Sequence, residues 1–340
     1  MFDCSREIRA FHDEKVRLSE AVQDKLRGHR DANRERVTNG LKASHGLTPI
    51  SFLIQGSYDM QTIIQQPKND YDIDDGVIFK ADDLHGPQGG QWTPLQVRQV
   101  VCQAVQDPRF KKAPEVRTNC VRVYYEEGHN VDIPVYRQRS SILGGTYLEL
   151  ASVEWRQSNP KAVTEWFDTQ VQTHSPDEEG TKQQMRRQVR LLKAFAKSRE
   201  SWNMPSGFIL SVLASEKYHA LAGREDVSFY ETIRGIHSRL EWDLTVRHPV
   251  VDEALTKTAE DASMVELKTQ LKQALESLVI LHDRDCTKKA ALQAWGKVFN
   301  TDFFDKFLDD EGKGRGPTIL TTSGKQPQFP VKKEGGGRYG

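Results

Sequence analysis

Three aspartates lie on segments that are typical of β-strands, at positions from which their carboxylates could reach one metal site. Asp72 and Asp74 stand two residues apart in the segment YDIDDG. Side chains two apart on a strand point to the same face, so these carboxylates would be about 6 to 7 Å apart. Asp132 lies in the segment NVDIPVY, where Val131 and Ile133 alternate to the other face. The three acids would meet if the two strands are neighbours.

Carboxylates in this arrangement suit a hard divalent cation. Mg²⁺ prefers oxygen ligands and keeps waters or substrate phosphates in its coordination shell. Two such ions about 3.5 to 4 Å apart can clamp the attacking and leaving oxygens of a phosphoryl or nucleotidyl transfer. We therefore expect two Mg²⁺ ions, with Mn²⁺ as an alternative, at Asp72, Asp74 and Asp132. Which two acids of the strand around Asp72 form the pair depends on the strand register. Asp70 points to the same face as Asp72, whereas Asp75 points to the opposite face.

A glycine–serine turn, Gln55-Gly56-Ser57, directly follows the first predicted strand. Glycine permits close approach of the backbone, and a serine hydroxyl with its amide can hydrogen-bond a phosphate oxygen. Such turns are common, and acidic residues at strand ends are usually solvated turn or edge residues. The order of these features is more informative than any one of them, because Asp72 follows the turn after 14 residues.

Short segments rich in Val, Ile, Tyr and Phe predict the strands that position these residues. They are Ser51 to Ile54, Asp72 to Phe79, Glu115 to Tyr125 and Asn130 to Tyr136. The last two would form a hairpin around the polar connector Glu126 to His129, which contains a glycine. A charged segment from Ser5 to Leu41 has apolar residues at helical intervals and predicts one long surface helix.

After residue 159 the apolar spacing becomes helical, so the predicted fold class is α+β. We expect a sheet-containing catalytic lobe with its N-terminal helix at 1–158, a helical lobe at 159–309, and a flexible tail rich in glycine and lysine at 310–340. The predicted helices are Leu95 to Val105, Lys161 to Gln172, Thr181 to Ser198, Gly207 to Ala222 and Asp252 to Val279, with shorter pieces from Lys288 to Phe307.

Charge and composition limit the expected partners. Lys plus Arg equals Asp plus Glu at 48 each, which argues against sequence-specific binding of long nucleic acid. An apolar run of membrane-spanning length and a secretion signal are both lacking, which predicts no membrane association and a cytoplasmic location. The four cysteines are scattered, and His85, His129 and His174 show no metal-ligand spacing.

In this order the motifs resemble the bacterial cGAS/DncV-like nucleotidyltransferases (CD-NTases), which make cyclic oligonucleotide signals in CBASS anti-phage defence. The resemblance is strongest to the dinucleotide cyclase branch, which makes cyclic GMP-AMP, and it implies a polymerase β-like nucleotidyltransferase fold. Ile73 and Gly76 fit the family's motif when Asp72 and Asp74 form the pair. The matching segments, between about residues 50 and 220, are Gln55-Gly56-Ser57, Asp72 through Gly76, Val131 through Tyr136, Asn159-Pro160-Lys161 through Phe167, Leu191 through Phe195 and Pro205-Ser206-Gly207.

The resemblance implies a chemical role for each acid. Asp72 and Asp74 would bind the Mg²⁺ that carries a donor triphosphate. Asp132 would help to hold a second Mg²⁺ and would take the proton of the acceptor's ribose hydroxyl. ATP and/or GTP would then be joined, with release of pyrophosphate, into a cyclic di- or trinucleotide. The helical lobe would complete the nucleotide pocket. The residues that bind the nucleotides there would be Gln55, Gly56, Ser57, Lys193 and Ser206.

The C-terminus suggests a second property. Relatives encoded beside ubiquitin-conjugation-like enzymes end in a small residue through which they become covalently joined to other molecules, and Gly340 fits that pattern. Glycine-rich termini are more often plain disorder, so both interpretations of Gly340 stay open.

Two other functions fit the same acids. A transferase that adds nucleotides to RNA or protein would also use them, but ATP and GTP alone would not suffice as its substrates. A binding module would hold a structural cation or a nucleotide and would release no pyrophosphate.

Overall fold

The chain folds into one mixed β-sheet and a layer of helices in this computed structural model, which describes residues 1–66, 72–86, 89–141, 144–178 and 180–308. The predicted tail and Gly340 lie outside the described residues. The strands are β1 (Ser51–Gln55), β2 (Asp72–Lys80), β3 (Glu115–Val116), β4 (Val121–Tyr124), β5 (Asn130–Ile133), β6 (Val135–Ser140), β7 (Thr146–Ala151) and β8 (Trp155–Ser158). The helices are α1 (Ser5–Phe11), α2 (Glu20–His45), α3 (Gly56–Asp59), α4 (Pro94–Ala104), α5 (Pro160–His174), α6 (Gln184–Ala196), α7 (Gly207–Lys217), α8 (Glu225–Trp242), α9 (Ala262–Leu278) and α10 (Lys288–Phe299).

Strand β2 is the centre of the sheet. It pairs antiparallel with β1 on one side and parallel with both β5 and β6 on the other. Pro134 separates β5 from β6 because proline has no N–H to donate to the ladder, while its carbonyl accepts the N–H of Val77 at 2.9 Å. The strand order is β3-β4-β5-β2-β6-β7-β8, and the α+β class is confirmed.

Alternation along β2 decides which face carries acids. Ile73, Val77 and Phe79 are fully buried in a core that α2 and α4 close from one side of the sheet. Successive side chains point to opposite faces, so Asp72 and Asp74 project away from that core. Burial of three large apolar residues therefore fixes the direction of the two carboxylates.

The N-terminal segment is not the single helix that its periodicity predicts. Helix α1 runs through a π-helical turn at His12–Val16, and extended backbone at Arg17 interrupts it before α2 begins. Ser19 caps α2 by accepting the N–H of Val22 at 3.3 Å. Phe11 of α1 packs on Phe299 and belongs to the helical core, so the first 16 residues join that layer rather than the sheet.

Other predicted elements differ in extent. Glu115 to Tyr125 forms β3 and β4 rather than one strand, β7, β8 and α8 were not predicted, and α9 begins ten residues later than its predicted start at Asp252. Helix α8 has buried residues at helical spacing, and Gly235 within it lets α7 approach closely, because an added Cβ would lie 3.2 Å from Cβ of Lys217. Among the described residues, no helix is both long and apolar enough to cross a membrane.

Candidate functional site

The three aspartates meet because β2 and β5 are neighbours in parallel register. Asp74 is the register partner of Asp132, and Asp72 is the partner of Asn130. Paired strands lie about 4.8 Å apart, which brings the carboxylates of Asp74 and Asp132 into one group. The side-chain amide of Asn130 donates to Oδ1 of Asp72 at 3.0 Å and holds that carboxylate in place.

Asp75 lies on the other face of β2. Arg34 of α2 donates to both of its oxygens, from Nε at 2.7 Å and from Nη2 at 2.6 Å, and the Asp75 side chain is buried. This bidentate ion pair ties the sheet to α2 and leaves Asp75 no part in the acidic group. Asp70, the other acid with the parity of Asp72, lies outside the described residues.

Arg122 of β4 joins two of the acids and was missed by sequence reasoning. It is the cross-strand partner of Asp132, to which Nε and Nη2 each donate at 2.7 Å. Nη2 also donates to Oδ2 of Asp72 at 2.9 Å. One guanidinium therefore supplies a single positive charge to a group of three carboxylates.

The negative charge that Arg122 does not balance has its clearest effect on the pKa of Asp74. Burial, together with the neighbouring carboxylates of Asp132 and Asp72, raises the pKa of Asp74 to about 7, and Arg122 offsets only part of that effect. A divalent cation would relieve the repulsion between these oxygens and favour the ionised form. The donor set, all carboxylate oxygens, is that preferred by Mg²⁺ or Mn²⁺.

The glycine–serine turn lies against the acids. Gly56 begins α3 directly after β1, with φ of +68°, and a Cβ at this position would overlap Oδ2 of Asp74. Glycine is required there both for the backbone conformation and for the space. Gln55, just before the turn, accepts a hydrogen bond at 2.9 Å from the hydroxyl of the buried Tyr136.

Lys193 of α6 is buried, with its ammonium pointing at the loop after α3. Its Nζ donates to Oγ1 of Thr62 at 2.8 Å and to the Thr62 carbonyl at 3.2 Å. Burial, and to a smaller extent Arg190, lowers the pKa of Lys193 to about 7. Ser206 caps α7 by accepting the N–H of Ile209, and the adjacent Gly207 lies against the end of the Lys193 side chain.

These groups surround one cavity of about 1150 Å³ between the sheet and the helices. Its volume is slightly above the range of about 300–1,000 Å³ that is usual for a site holding one small molecule. Asp132 is buried beside Asp74 and is not itself a wall of the cavity as the described residues define it. The predicted site residues that line it are Gln55, Gly56, Ser57, Asp72, Asp74, Lys193 and Ser206.

Residues 50–136 match the family model described as the nucleotidyltransferase domain of cyclic GMP-AMP synthase DncV-like proteins. The matched range contains the glycine–serine turn, Asp72, Asp74 and Asp132.

Solved structures resemble the chain over most of its length. The Bradyrhizobium diazoefficiens CD-NTase CdnG in complex with GTP has a TM-score of 0.68 at 15% identity, covering 91% of this chain and 100% of that one. Escherichia coli DncV in its 3′-deoxy GTP bound form has a TM-score of 0.65 at 16% identity, covering 87% and 95%. Vibrio cholerae DncV with the linear intermediate 5′ pppA(3′,5′)pG has a TM-score of 0.62 at 18% identity, covering 84% and 91%. The fold is therefore the polymerase β-like nucleotidyltransferase fold of these enzymes.

Proposed function

We propose that this chain is a cGAS/DncV-like nucleotidyltransferase and that it joins ATP and/or GTP into a cyclic di- or trinucleotide messenger. The observation that carries the proposal is the group formed by Asp72, Asp74 and Asp132 beside a cavity large enough for more than one nucleotide. The linear pppApG intermediate in the similar DncV structure supports two successive transfers in one pocket.

Each of the three aspartates has a role in the proposed reaction. Asp72 and Asp74 would hold Mg²⁺ or Mn²⁺ with the donor triphosphate, and Asp132 would hold a second ion. Bound metal supplies Lewis-acid stabilisation of the charge that develops on the attacking and leaving oxygens. Asp132 takes the proton from the acceptor hydroxyl, whose oxygen forms the new bond to the α-phosphorus as the bond to pyrophosphate breaks.

Other residues that line the cavity would bind the triphosphate. Lys193 lies within reach of a phosphate that enters beside Ser206, and a phosphate there would favour its protonated form. Gly56 leaves the backbone open next to Asp74, and Ser57 can donate its hydroxyl to a phosphate oxygen. The linear product would turn in the same pocket and react once more, which closes the ring.

We place this reaction in cytosolic anti-phage signalling of the CBASS type, close to the branch that makes cyclic GMP-AMP. Covalent attachment through Gly340 by a ubiquitin-conjugation-like enzyme is part of the proposal. Deleting Gly340 should abolish attachment in cells that carry the conjugating enzymes, and unchanged attachment would rule this part out.

The activity is tested with purified protein, Mg²⁺ and every combination of ATP, GTP, CTP and UTP. After phosphatase treatment, mass spectrometry should find a resistant cyclic product containing adenosine, guanosine or both. Asp72→Asn with Asp74→Asn should abolish that product and pyrophosphate release while the protein remains folded. The matched control is Asp82→Asn with Asp83→Asn, which removes two exposed acids beyond the end of β2 and should leave turnover unchanged.

The outcomes separate the proposal from its rivals. Turnover by the double variant at the wild-type rate would refute the assignment of the acids. Nucleotide incorporation that occurs only when RNA or protein is added would indicate a modifying transferase. Nucleotide binding without pyrophosphate release under every condition would indicate a binding module.

A further inference from the structure

Two histidines and a glutamate that are distant in the sequence converge at the turn between β4 and β5. His29 lies on α2, while Glu127 and His129 belong to the turn, and one ligand atom from each lies within 4.8 Å of the others. Sequence spacing gave no sign of this group, because His29 and Glu127 are 98 positions apart. None of the three residues belongs to the aspartate group described above.

The two imidazoles meet at their nitrogen edges. Nδ1 of His29 and Nε2 of His129 are 2.5 Å apart, and the rings are almost parallel, with an angle of 16° between their planes. The carboxylate of Glu127 lies beside them and pairs with Lys25 at 2.5 Å. Two nitrogens and one carboxylate oxygen are a common ligand set of divalent zinc.

Neighbouring groups hold this arrangement. The ring of Tyr125 stacks on His29 with centroids 3.7 Å apart, and Asn33 donates to the Tyr125 hydroxyl at 3.0 Å. The N–H of Tyr125 donates to the carbonyl of His129 at 3.1 Å, which closes the turn. Gly128, with φ of +103°, permits that tight path. The stacked ring of Tyr125 and the closed turn therefore fix the positions of the two imidazoles.

The protonation states also suit a metal. Burial lowers the pKa of His129 to about 4 and lowers that of His29, so both rings are neutral at physiological pH and can offer a lone pair. Lys25 holds the pKa of the Glu127 carboxyl below its ordinary value, so this group is ionised. Neutral imidazole and carboxylate are the forms that bind metal.

We propose that His29, Glu127 and His129 form a site for Zn²⁺ or a similar borderline divalent transition metal, with water as a fourth ligand. Tetrahedral Zn²⁺ with Zn–N bonds of 2.0–2.1 Å needs its two nitrogens about 3.3 Å apart, so the facing nitrogens must separate by about 1 Å and the rings must turn until both lone pairs point at the ion. The exposed Glu127 can swing away from Lys25 to join them. Mg²⁺ does not compete well for this site, because it prefers oxygen ligands and octahedral geometry.

A metal here would connect α2 to the hairpin that carries Asp132. His129 immediately precedes Asn130, whose amide holds Asp72. Occupancy would therefore stabilise the start of β5 from outside the cavity. The proposal does not depend on the reaction proposed above, because metal binding can be measured without substrate.

The test uses the full chain without a histidine tag, stripped of metal and kept in excess Mg²⁺. Zn²⁺ is titrated in competition with a chromophoric chelator, and Co²⁺ is added separately to record its visible absorption. We expect one equivalent of Zn²⁺ that Mg²⁺ does not displace, and the intense visible bands of four-coordinate Co²⁺. The unfolding temperature should rise with Zn²⁺, since a ligand that binds only the folded state stabilises it.

Variants identify the ligands. His29→Gln should weaken Zn²⁺ binding by more than about 100-fold, and Glu127→Gln by about 10- to 100-fold. The matched controls are His174→Gln, an exposed histidine at the end of α5, and Glu126→Gln, the exposed neighbour of Glu127. Both controls should bind Zn²⁺ as the wild type does.

Two results would overturn the assignment. The first is a wild-type protein that holds no Zn²⁺ equivalent in the presence of Mg²⁺. The second is unchanged affinity in His29→Gln and Glu127→Gln. The Glu127 variant keeps the test decisive even if His29→Gln folds poorly, because the Glu127 side chain is exposed and its loss leaves the turn hydrogen bonds intact.

Discussion

The variant Gly56→Ala should lower turnover by more than its loss of folding stability explains. Gly56 has φ of +68°, a conformation that costs an L-residue about 1–2 kcal/mol. The added Cβ would also lie closer to Oδ2 of Asp74 than ordinary van der Waals contact by about 1 Å, so the carboxylate must move by a similar distance. A displacement of about 1 Å in a catalytic group can lower the rate by about 100-fold, which corresponds to about 2.7 kcal/mol in the barrier.

Gly46→Ala is the matched control. Gly46 ends α2 with φ of +65°, and nothing lies within 4 Å of a Cβ built there. Gly46→Ala should therefore lose about 1–2 kcal/mol in the free energy of unfolding, measured by urea denaturation, and Gly56→Ala should lose at least as much. Only Gly56→Ala should lose pyrophosphate release from ATP and GTP in the presence of Mg²⁺.

The comparison of the two alanine variants can refute the reasoning. If Gly56→Ala turns over at the wild-type rate while losing the expected stability, Asp74 does not need the position that the structure gives it. If both variants lose activity to the same extent, the loss reflects general destabilisation rather than contact with Asp74.

Three further predictions concern charged side chains of the sheet and of α6. The free energy of unfolding should rise with pH between about 7 and 10.5. In this range Lys193 has lost its proton in the folded state but keeps it in the unfolded chain, so the unfolded chain binds more protons. Urea titrations should show that this rise is absent in Lys193→Met. Arg122→Met should cost about 2 kcal/mol of stability by removing the charged hydrogen bonds to Asp132, and Mg²⁺ should raise the unfolding temperature of this variant more than that of the wild type. Asp75→Asn should cost about 2 kcal/mol through its pair with Arg34, yet leave Mg²⁺ affinity in calorimetry unchanged, and weakened Mg²⁺ binding would contradict the register.

The choice between Asp74 and Asp75 shows what a local sequence pattern can predict and what it cannot. Period-two alternation separates Asp72 and Asp74 from Asp75, the resemblance to the family's motif selects the first two, and the buried Ile73 of the structure agrees. The pattern could not reveal that Arg34, 41 residues away, binds Asp75 on the other face. That contact arises from the packing of α2 on the sheet.

The hairpin shows where counting residues fails. A four-residue connector from Glu126 to His129 would have placed Val123 opposite Asp132. The structure instead pairs the N–H of Tyr125 with the carbonyl of His129, so the turn is one residue shorter. A shift of one residue brings Arg122 rather than a valine beside Asp132. Counting the connector therefore missed the guanidinium, although the alternation of Val121 and Val123 with Arg122 was a signal that could have placed it on the face of the acids.

The sequence by itself determined the α+β class, the types of the chemical groups and the face of β2 on which Asp72 and Asp74 lie, because these follow from composition and from periods of two and 3.6 residues. Only the tertiary structure decided which groups meet. The parallel pairing of β2 with β5, the burial of Lys193 against Thr62 and the meeting of His29 with His129 join residues 58 to 131 positions apart. Such contacts arise when distant apolar faces are buried together, and no local spacing records them.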